Sequence, residues 1–573
     1  MAMSGMKCFS KLPVISSPHS CIRPNYSSFG NQTSVKIDDS RSYSRSSIPL
    51  VQELERLQSH VTEDQSHMNR IEKAKAVFKQ LEDPLETMKT IDSLQRLGID
   101  YHFQEEMEDK LSSVYTRFCY MQSHPITIGD LFEVALSFRL LRQAGHLVSS
   151  DVLYKFADEK GQLDRSLGTD TNGLLSLYEA SFLNTGEDIL YRAREFTSEH
   201  LTHMSAGNMA ETDHVARLAR RTLKHPFHKT LPRYNSPFHI TQREDTSTAR
   251  RALKDLARVD FNRVQSLHQR ELLEILRWWK DTGLTQELSF IRDQPLKWYA
   301  WPMTMVPDPK FSKCRIDLTK VIAFLYIFDD IFDVYGSFED LLLFTQGIRK
   351  WDLSVVETLP TYMQLCYITL YNITNEIAQT TYEEHGFNPI NHLKESWSRL
   401  CDAFLKESKW FHSNQVPKAD EYLRNAIVSS GVYMVLTHAY FLLGQGITEE
   451  NANFIENNPT LPTCPATILR LWDDLGSAKD ENQEGFDGSY VEYLMKEHPD
   501  YSKEDAKDHV MKIISKSWEN INKECCSSSH FAPDHVNLCL NLTRMVEVMY
   551  CYDNNQNLPT FENYINTLLF KSI

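Results

Sequence analysis

The sequence contains little glycine and no long apolar run, and both shortages narrow the structural class. Glycine accounts for 20 of 573 residues, about half of its usual share of ~7%, and the strict alternation typical of strands is scarce. The longest uninterrupted apolar run, Val321 to Phe328, is far shorter than the ~20 residues that cross a bilayer. We therefore expect little β-structure and no membrane span.

A basic surface and paired cysteines are missing as well. The formal charge is −16 and the pI is near 5.7, and no basic stripe carries interleaved aromatic residues, which argues against a nucleic-acid partner. The eleven cysteines form no CxxC pair, and the adjacent Cys525 and Cys526 do not suggest a disulfide framework. A reducing compartment is therefore expected.

Helical periodicity is abundant. Apolar residues recur at spacings of three and four in PLETMKTIDSLQRL, DLFEVALSFRLLRQ and YLRNAIVSSGVYMVLTHAYFLL, a pattern typical of amphipathic helices. The length allows two or more domains with ample core. These observations predict an all-α protein.

The first 47 residues differ in composition from the rest. They are rich in serine, carry basic residues such as Lys7 and Arg23, and contain no acid before Asp38. This composition predicts an organelle transit peptide, and a disordered tail without a targeting role is the alternative. Further on, a charged stretch around Thr248 separates two helical regions, so we place a domain boundary there, between residues 48–250 and 251–573.

Three aspartates end a helix that is otherwise almost wholly apolar, in VIAFLYIFDDIFDVYG. A helix that is hydrophobic all round is normally buried, and carboxylates in such a setting are costly unless neutralised or bound to cations. Asp329 and Asp333 are four residues apart and share one helix face, with Asp330 beside them. Clustered carboxylates of this kind suit Mg²⁺, which keeps room for phosphate and water.

A second candidate metal motif lies downstream in RLWDDLGSAKDE. Asp473, Ser477 and Glu481 are spaced four and four, which keeps three oxygen ligands in one stripe over two turns. A solvated acidic face beside a loop is the alternative. Two such clusters facing each other would hold Mg²⁺ ions that bridge a diphosphate and make it a good leaving group. The predicted chemistry is ionisation of an allylic diphosphate.

With these motifs the chain resembles the plant terpene synthases, over nearly all of its length after residue 48. DDIFD and DDLGSAKDE are similar to the two metal motifs of that family, and QRLGIDYHF, SFRLLRQAG, LYEAS and RWWKDTGL are similar to other family segments. The resemblance implies a class I terpenoid synthase fold in residues 251–573 and an N-terminal helical domain without its own active site. It implies Mg²⁺ as the cofactor, with Mn²⁺ as the alternative ion, a prenyl diphosphate substrate and a monomer. The implied metal ligands are Asp329, Asp330, Asp333, Asp473, Ser477 and Glu481.

The resemblance also implies two arginines that hold the departing diphosphate together with Asp329, Asp333 and Asp473. Arg292 lies in FIRDQP, where the family usually has RxR, and a neutral amide, Gln294, replaces the second arginine. Arg470 lies one turn before the second metal motif. Ordinary ion pairs are the alternative for both arginines.

Pocket residues follow from the same resemblance. Trp301 matches an aromatic at the base of the family pocket and would stabilise a carbocation through its ring face, with a plain core aromatic as the alternative. Residues 429–431, Ser-Ser-Gly, are expected to interrupt a helix. Tyr550 and Asp553 lie where the family often has a tyrosine and an acid near the pocket lid.

An absence points to the product. Many terpene cyclases carry RR followed eight residues later by tryptophan, but here SRSSIPLVQELERL occupies that place and no tryptophan precedes Trp278. This resembles the g subfamily, which makes acyclic products. Our hypothesis is ionisation of geranyl diphosphate, and also farnesyl diphosphate, with water capture at C3 to give linalool or nerolidol. A transit peptide favours the plastid and the ten-carbon substrate; without one, the cytosol is expected.

Three alternatives stay open at this point. The first is proton loss to an acyclic hydrocarbon such as myrcene or ocimene. The second is a chain-elongating prenyltransferase, which would need a second DDxxD-like cluster near Asp473. The third is a non-catalytic helical scaffold, suggested by Gln294.

Overall fold

The chain is helical throughout the part that the computed structural model describes. No β-strand occurs there, and one isolated bridge joins Ala157 and Leu163. The all-α prediction is therefore confirmed. The predicted transit peptide and the SRSSIPLVQELERL segment, apart from Leu54, lie outside the described residues, which are Leu54 and residues 65–124, 129–206, 214–242, 248–457, 460–477, 488–527, 531–553 and 557–573.

Helices α1 to α8 build the first half. They are α1 (Gln65–Lys79), α2 (Pro84–Leu97), α3 (Gln104–Ser123), α4 (Leu131–Gln143), α5 (Thr171–Ser181), α6 (Asp188–Ser205), α7 (His214–Lys224) and α8 (Ser236–Thr241). Short 3₁₀ turns accompany them at Asp100–His102, Ser150–Phe156, Arg165–Thr169 and Phe227–Lys229.

Local sequence sets the ends of these helices, as α2 illustrates. Asp83 caps its start by accepting a hydrogen bond from the Glu86 N–H at 2.7 Å, and Pro84 occupies the first helical position, where no N–H is needed. Gly98 ends it at φ 71°, a left-handed conformation that glycine adopts without strain.

Helices α9 to α23 build the second half. They are α9 (Thr248–Asp281), α10 (Leu284–Glu287), α11 (Pro295–Met305), α12 (Ser312–Asp330), α13 (Phe338–Lys350), α14 (Thr361–His385), α15 (Ile390–His412), α16 (Ala419–Ser429), α17 (Val432–Leu443), α18 (Glu449–Asn457), α19 (Thr463–Ser477), α20 (Tyr490–Glu497), α21 (Lys503–Cys526), α22 (Pro533–Tyr550) and α23 (Pro559–Ile565). Further turns lie at Pro309–Phe311, Ile331–Tyr335, Leu353–Thr358 and Asn566–Phe570.

The long helix α9 connects the two halves. Its buried Asp260 accepts hydrogen bonds from the Tyr101 hydroxyl at 2.6 Å and from Arg233 Nη2 at 2.9 Å. On the other side, Gln269 Nε2 donates to the Leu569 carbonyl at 2.6 Å. The helix begins at Thr248, where the sequence placed the domain boundary, and the division into two domains remains our prediction.

A group of helices around α12 forms the core of the second half. Helix α12 packs against α9, α11 and α17, while α19 packs against α16, α21 and α22. The apolar body of α12 from Val321 to Phe328 is fully buried, as expected for a helix that is hydrophobic all round. The carboxylates that follow this body are therefore carried into the interior.

One described stretch, Ala419–Leu443, is long and apolar enough to cross a membrane by length and composition alone. Most of it, 78% of its most apolar window, is buried within the protein. Ser430 and Gly431 divide it into α16 and α17. It is a core element of the helical fold.

Candidate active site

The first carboxylate cluster lies where α12 changes its geometry. The α-helix ends at Asp330, and a π turn over Ile331–Tyr335 follows, in which the Gly336 N–H donates to the Ile331 carbonyl at 2.8 Å. Asp333 lies within this turn, so the single α-helical face expected from the sequence does not extend to it. Turns of this kind are frequent at functional sites. Asp329 and Asp330 are only 2% and 6% exposed.

Arg292 holds the first cluster from the segment before α11. Its guanidinium contacts Asp329, and its Nε lies 2.6 Å from Asp330 Oδ1. Its backbone N–H also donates to Asp330 Oδ2 at 2.9 Å, and the guanidinium lies 5.1 Å from the centre of the Tyr326 ring. The ion pair considered as the alternative for Arg292 is thus present, and it is formed with the first metal motif itself.

The second cluster lies on α19 and is equally buried. Asp473 and Asp474 are each 1% exposed, so a solvated acidic face is wrong for Asp473. Arg470 Nη2 lies 2.7 Å from Asp473 Oδ2 and 2.5 Å from Asp474 Oδ1. Asp474 also accepts hydrogen bonds from the Tyr422 hydroxyl at 3.1 Å and the Tyr490 N–H at 2.8 Å. Asp474 is therefore held in place by packing partners.

Two further residues, Ser477 and Glu481, belong to the predicted second motif. Ser477 is the last residue of α19, and Glu481 lies outside the described residues. Their roles as metal ligands stay predictions.

A buried glutamate that the sequence analysis missed adjoins the two clusters. Glu407 on α15 is 3% exposed and accepts hydrogen bonds from Ser429 Oγ at 2.7 Å and Asn425 Nδ2 at 3.0 Å. Burial raises its pKa, the charge of Asp333 raises it further, and Arg470 opposes both. A signal existed in the sequence, because a charged residue at a position of the apolar stripe of α15 is unusual.

Carboxyl groups outnumber basic groups among the described residues of this site. Burial and the charges of Asp474 and Asp329, opposed by Arg470, raise the pKa of Asp473 to about 8. The charge of Asp329 acts on Asp473, so the two clusters lie close enough to interact electrostatically. A surplus of carboxylate oxygens fits hard divalent cations. The described carboxylates of the site are Asp329, Asp330, Asp333, Glu407, Asp473 and Asp474, and its cations are Arg292, Lys297 and Arg470.

An apolar cavity adjoins the clusters. Its wall includes Trp301, Leu325, Leu469, Leu542 and Ser430. Trp301 is 4% exposed, and its Nε1–H donates to the Tyr326 hydroxyl at 3.4 Å. Trp301 is therefore both a buried aromatic and part of the cavity wall.

The predicted helix break beside the cavity is confirmed. Helix α16 ends at Ser429 and α17 begins at Val432, with Gly431 between them at φ 76°. A Cβ atom on Gly431 would lie 2.4 Å from the Leu325 side chain. Only glycine combines this conformation with this close approach. The break thus brings the backbone of residues 430 and 431 to the cavity wall.

Comparison with known proteins now identifies the family. Residues 35–223 match the terpene synthase N-terminal domain, and residues 280–520 match the metal binding domain of the terpene synthase family. The chain belongs to the terpene synthase family.

Relatives of this terpene synthase support the assignment. An (E)-nerolidol synthase from Cannabis sativa is 45% identical over 505 residues, which cover 87% of this chain and 91% of the relative. The chloroplastic S-(+)-linalool synthase of Arabidopsis thaliana is 41% identical over 510 residues, 88% of each chain. Both comparisons span the two halves of the fold.

A solved structure gives the same fold. Isoprene synthase from grey poplar (Populus x canescens), in complex with three Mg²⁺ ions and dimethylallyl-S-thiolodiphosphate, superposes with a TM-score of 0.81 at 33% identity. The match covers 89% of this terpene synthase and 98% of that chain. The class I terpenoid synthase fold predicted from the sequence is therefore confirmed.

The two residues expected near the pocket lid occupy different surroundings in this terpene synthase. Tyr550 is buried at the end of α22, and its carbonyl oxygen lies near Gly476 of α19. Asp553 is exposed, and its Oδ1 accepts a hydrogen bond from the Asn557 N–H at 2.8 Å. Of this pair, Tyr550 is the residue that adjoins the second cluster.

Proposed function

We propose that this terpene synthase ionises geranyl diphosphate, and also farnesyl diphosphate, and that water captures the cation at C3 to give linalool or nerolidol. One observation carries the proposal: two buried clusters of carboxylates and arginines lie on α12 and α19, the helices whose Leu325 and Leu469 line an apolar cavity. The polar clusters suit the diphosphate, and the cavity suits the prenyl chain.

The carboxylates of both motifs would hold Mg²⁺. We assign Asp329, Asp330 and Asp333 to one side and Asp473, with Ser477 and Glu481, to the other. The bound ions would neutralise the diphosphate and improve it as a leaving group. The excess of buried carboxyl groups over basic groups supports this assignment, because burial raises the pKa of Asp330 and Asp473 and a bound cation would favour their ionised form.

Arg292 and Arg470 would change partners when substrate enters. Each now pairs with carboxylates of one cluster. A guanidinium can offer parallel N–H groups to two phosphate oxygens. Each arginine would therefore bind the diphosphate while it keeps one hydrogen bond to a carboxylate of its cluster. Breaking the C1–O bond leaves an allylic cation beside Trp301, whose ring face would stabilise it by up to about 2 kcal/mol when desolvated.

Water capture requires a polar group in an otherwise apolar cavity. The Ser430 hydroxyl donates to the Ile427 carbonyl at 2.6 Å and accepts the Val432 N–H at 3.3 Å. A hydroxyl oxygen has two lone pairs, so the second would hold one water molecule near the chain. That water would form a bond to C3 and release a proton to the departing diphosphate. The apolar character of the remaining wall favours the alternative of proton loss to myrcene or ocimene.

Two further features support the acyclic alcohol and the plastid. The relatives include a nerolidol synthase and a linalool synthase named as chloroplastic. The basic, serine-rich composition of residues 1–47 agrees with a plastid transit peptide, and the cytosol is the location if that segment does not direct import.

Product analysis tests the proposal. Protein beginning at Ser46 would be incubated with Mg²⁺ and either geranyl or farnesyl diphosphate, and products separated by gas chromatography with mass detection. We expect linalool and nerolidol, and no turnover after chelation. Mainly cyclic products would refute the acyclic reaction, and acyclic hydrocarbons would establish proton loss instead.

The same assay separates the two remaining functions. Isopentenyl diphosphate added to either substrate should leave the chain length of the product unchanged, and elongation would indicate a prenyltransferase. Inactivity on ten-, fifteen- and twenty-carbon diphosphates would indicate a binding scaffold.

A further inference from the structure

Lys297 is the one residue of helix α11 that is not fully buried. Every other residue of α11, from Pro295 to Met305, is buried, and Lys297 is half-buried. Lysine extends its ammonium along its stem toward space that admits water. Among the described residues, no carboxylate oxygen lies within the 4.0 Å that would make an ion pair with this ammonium. The charge is enclosed without a counter-charge in contact.

The position of Lys297 on α11 relates it to the cavity. Lys297 is four residues before Trp301, so the two share one face of the helix. Trp301 forms part of the cavity wall, and Arg292 lies just before the start of α11, in contact with the first carboxylate cluster. Lys297 therefore lies one turn from Trp301 and five residues after Arg292.

Electrostatics agrees with this placement. Burial and the neighbouring charge of Arg292, opposed by the charge of Asp473, lower the pKa of Lys297 to about 8. The ammonium thus feels groups from both clusters. A cation in this position is unfavourable in the empty protein and would be favoured by an arriving polyanion.

We propose that Lys297 binds the diphosphate of the substrate from α11, as a second cation beside Arg292. The inference rests on the proposed function, since it assumes that a diphosphate enters the space between the two clusters. Position 294, three residues earlier, carries a neutral glutamine, so the ammonium of Lys297 would supply the second positive charge of this segment. An ammonium offers three N–H donors to phosphate oxygens.

Binding of inorganic pyrophosphate in the presence of Mg²⁺ tests this role without turnover. Lys297→Met keeps the apolar stem and removes the charge, and Lys297→Arg keeps the charge. By calorimetry we expect the Met variant to bind pyrophosphate about ten- to a hundredfold more weakly and the Arg variant to bind within a few-fold of wild type. The matched control is Lys313→Met, because Lys313 is exposed and pairs with Glu384 at 2.7 Å.

A rescue experiment separates the charge from packing. Gln294→Arg should restore much of the pyrophosphate affinity and kcat/KM in the Lys297→Met background and add little to wild type. Unchanged pyrophosphate affinity in a folded Lys297→Met variant would overturn the inference alone. Failure of wild type both to bind pyrophosphate and to consume any prenyl diphosphate would overturn the proposed function as well. If Lys297→Met unfolds, then Lys297→Gln, judged by the same affinity, decides.

Discussion

The two ends of α12 carry buried charged side chains that differ in how they are paired. Near the start, Arg315 is fully buried and bonds both oxygens of Glu271, with Nη2 at 2.6 Å from Oε1 and Nε at 2.8 Å from Oε2. At the other end, Asp329 and Asp330 both contact the guanidinium of Arg292. The Arg315–Glu271 pair is balanced, with one cation for one carboxylate, whereas at the Asp329 end two carboxylates contact one cation.

This difference separates structural charge from functional charge. A buried ion pair whose hydrogen bonds are complete holds two elements together, here α9 and α12. A buried surplus of one sign is costly unless something neutralises it. Arg315 and Asp329 lie on the same apolar helix, about 21 Å apart at 1.5 Å per residue. Their partners, rather than the local sequence of the helix, therefore distinguish structural from functional charge.

The largest expected effect is loss of turnover when a carboxylate at the Asp329 end of α12 is removed. Asp329→Ala should lower kcat/KM by about a thousandfold or more, because the diphosphate would lose metal stabilisation worth several kcal/mol, while the helical signal stays intact. Asp317→Ala on the same helix is the control, since Asp317 pairs with the neighbouring Lys320 at 2.8 Å. Near-normal rates for Asp329→Ala would refute its role as a ligand.

At the balanced end, the effect should fall on stability. Glu271→Gln leaves Arg315 buried without its counter-charge, and we expect a loss of about 3–5 kcal/mol, seen as a lower thermal midpoint. Turnover per folded molecule should change little. A variant as stable as wild type would show that the pair does not hold α9 to α12.

Asp473→Asn should raise the stability of the metal-free protein, whereas Glu271→Gln should lower stability. A carboxyl whose pKa is raised from 3.8 to about 8 by burial makes folding less favourable as the pH rises between those two values. In metal-free protein, we expect the Asn variant to be more stable than wild type by roughly 1–2 kcal/mol at pH 8, with a smaller difference at pH 5.

Melting curves in chelator at the two pH values provide the measurement. The stabilisation that Mg²⁺ gives wild type should be reduced in Asp473→Asn. A variant less stable than wild type at pH 8 would mean that Asp473 is balanced like Glu271.

The smallest expected effect concerns the product. Ser430→Ala removes the hydroxyl that we expect to hold water, so the ratio of alcohol to hydrocarbon should fall about two- to tenfold, the range of one hydrogen bond. Ser396→Ala is a matched control, because Ser396 makes a similar bond to the Leu393 carbonyl at 2.7 Å and is not among the residues lining the cavity. An unchanged ratio would leave water capture to another group.

The two carboxylate clusters illustrate how far sequence reasoning reached. The acidic end of an apolar helix predicted that Asp329 and Asp330 are buried, and the spacing around Asp473 predicted a second cluster. Glu407 was not predicted. A charged residue in the apolar stripe of α15 is unusual, but its neighbours in the chain do not show which group it approaches. Its proximity to Asp333 arises only when α15 packs beside the π turn.

The sequence by itself determined the helices, their ends and the break at Gly431, because periodicity, capping and backbone freedom act over a few residues. It also determined which segments carry clustered carboxylates. Only the tertiary structure decided which buried charges are neutralised, which glutamate joins the site and where Lys297 stands. The physical reason is that Coulomb interactions and desolvation depend on distances between residues far apart in the chain, and packing alone sets those distances.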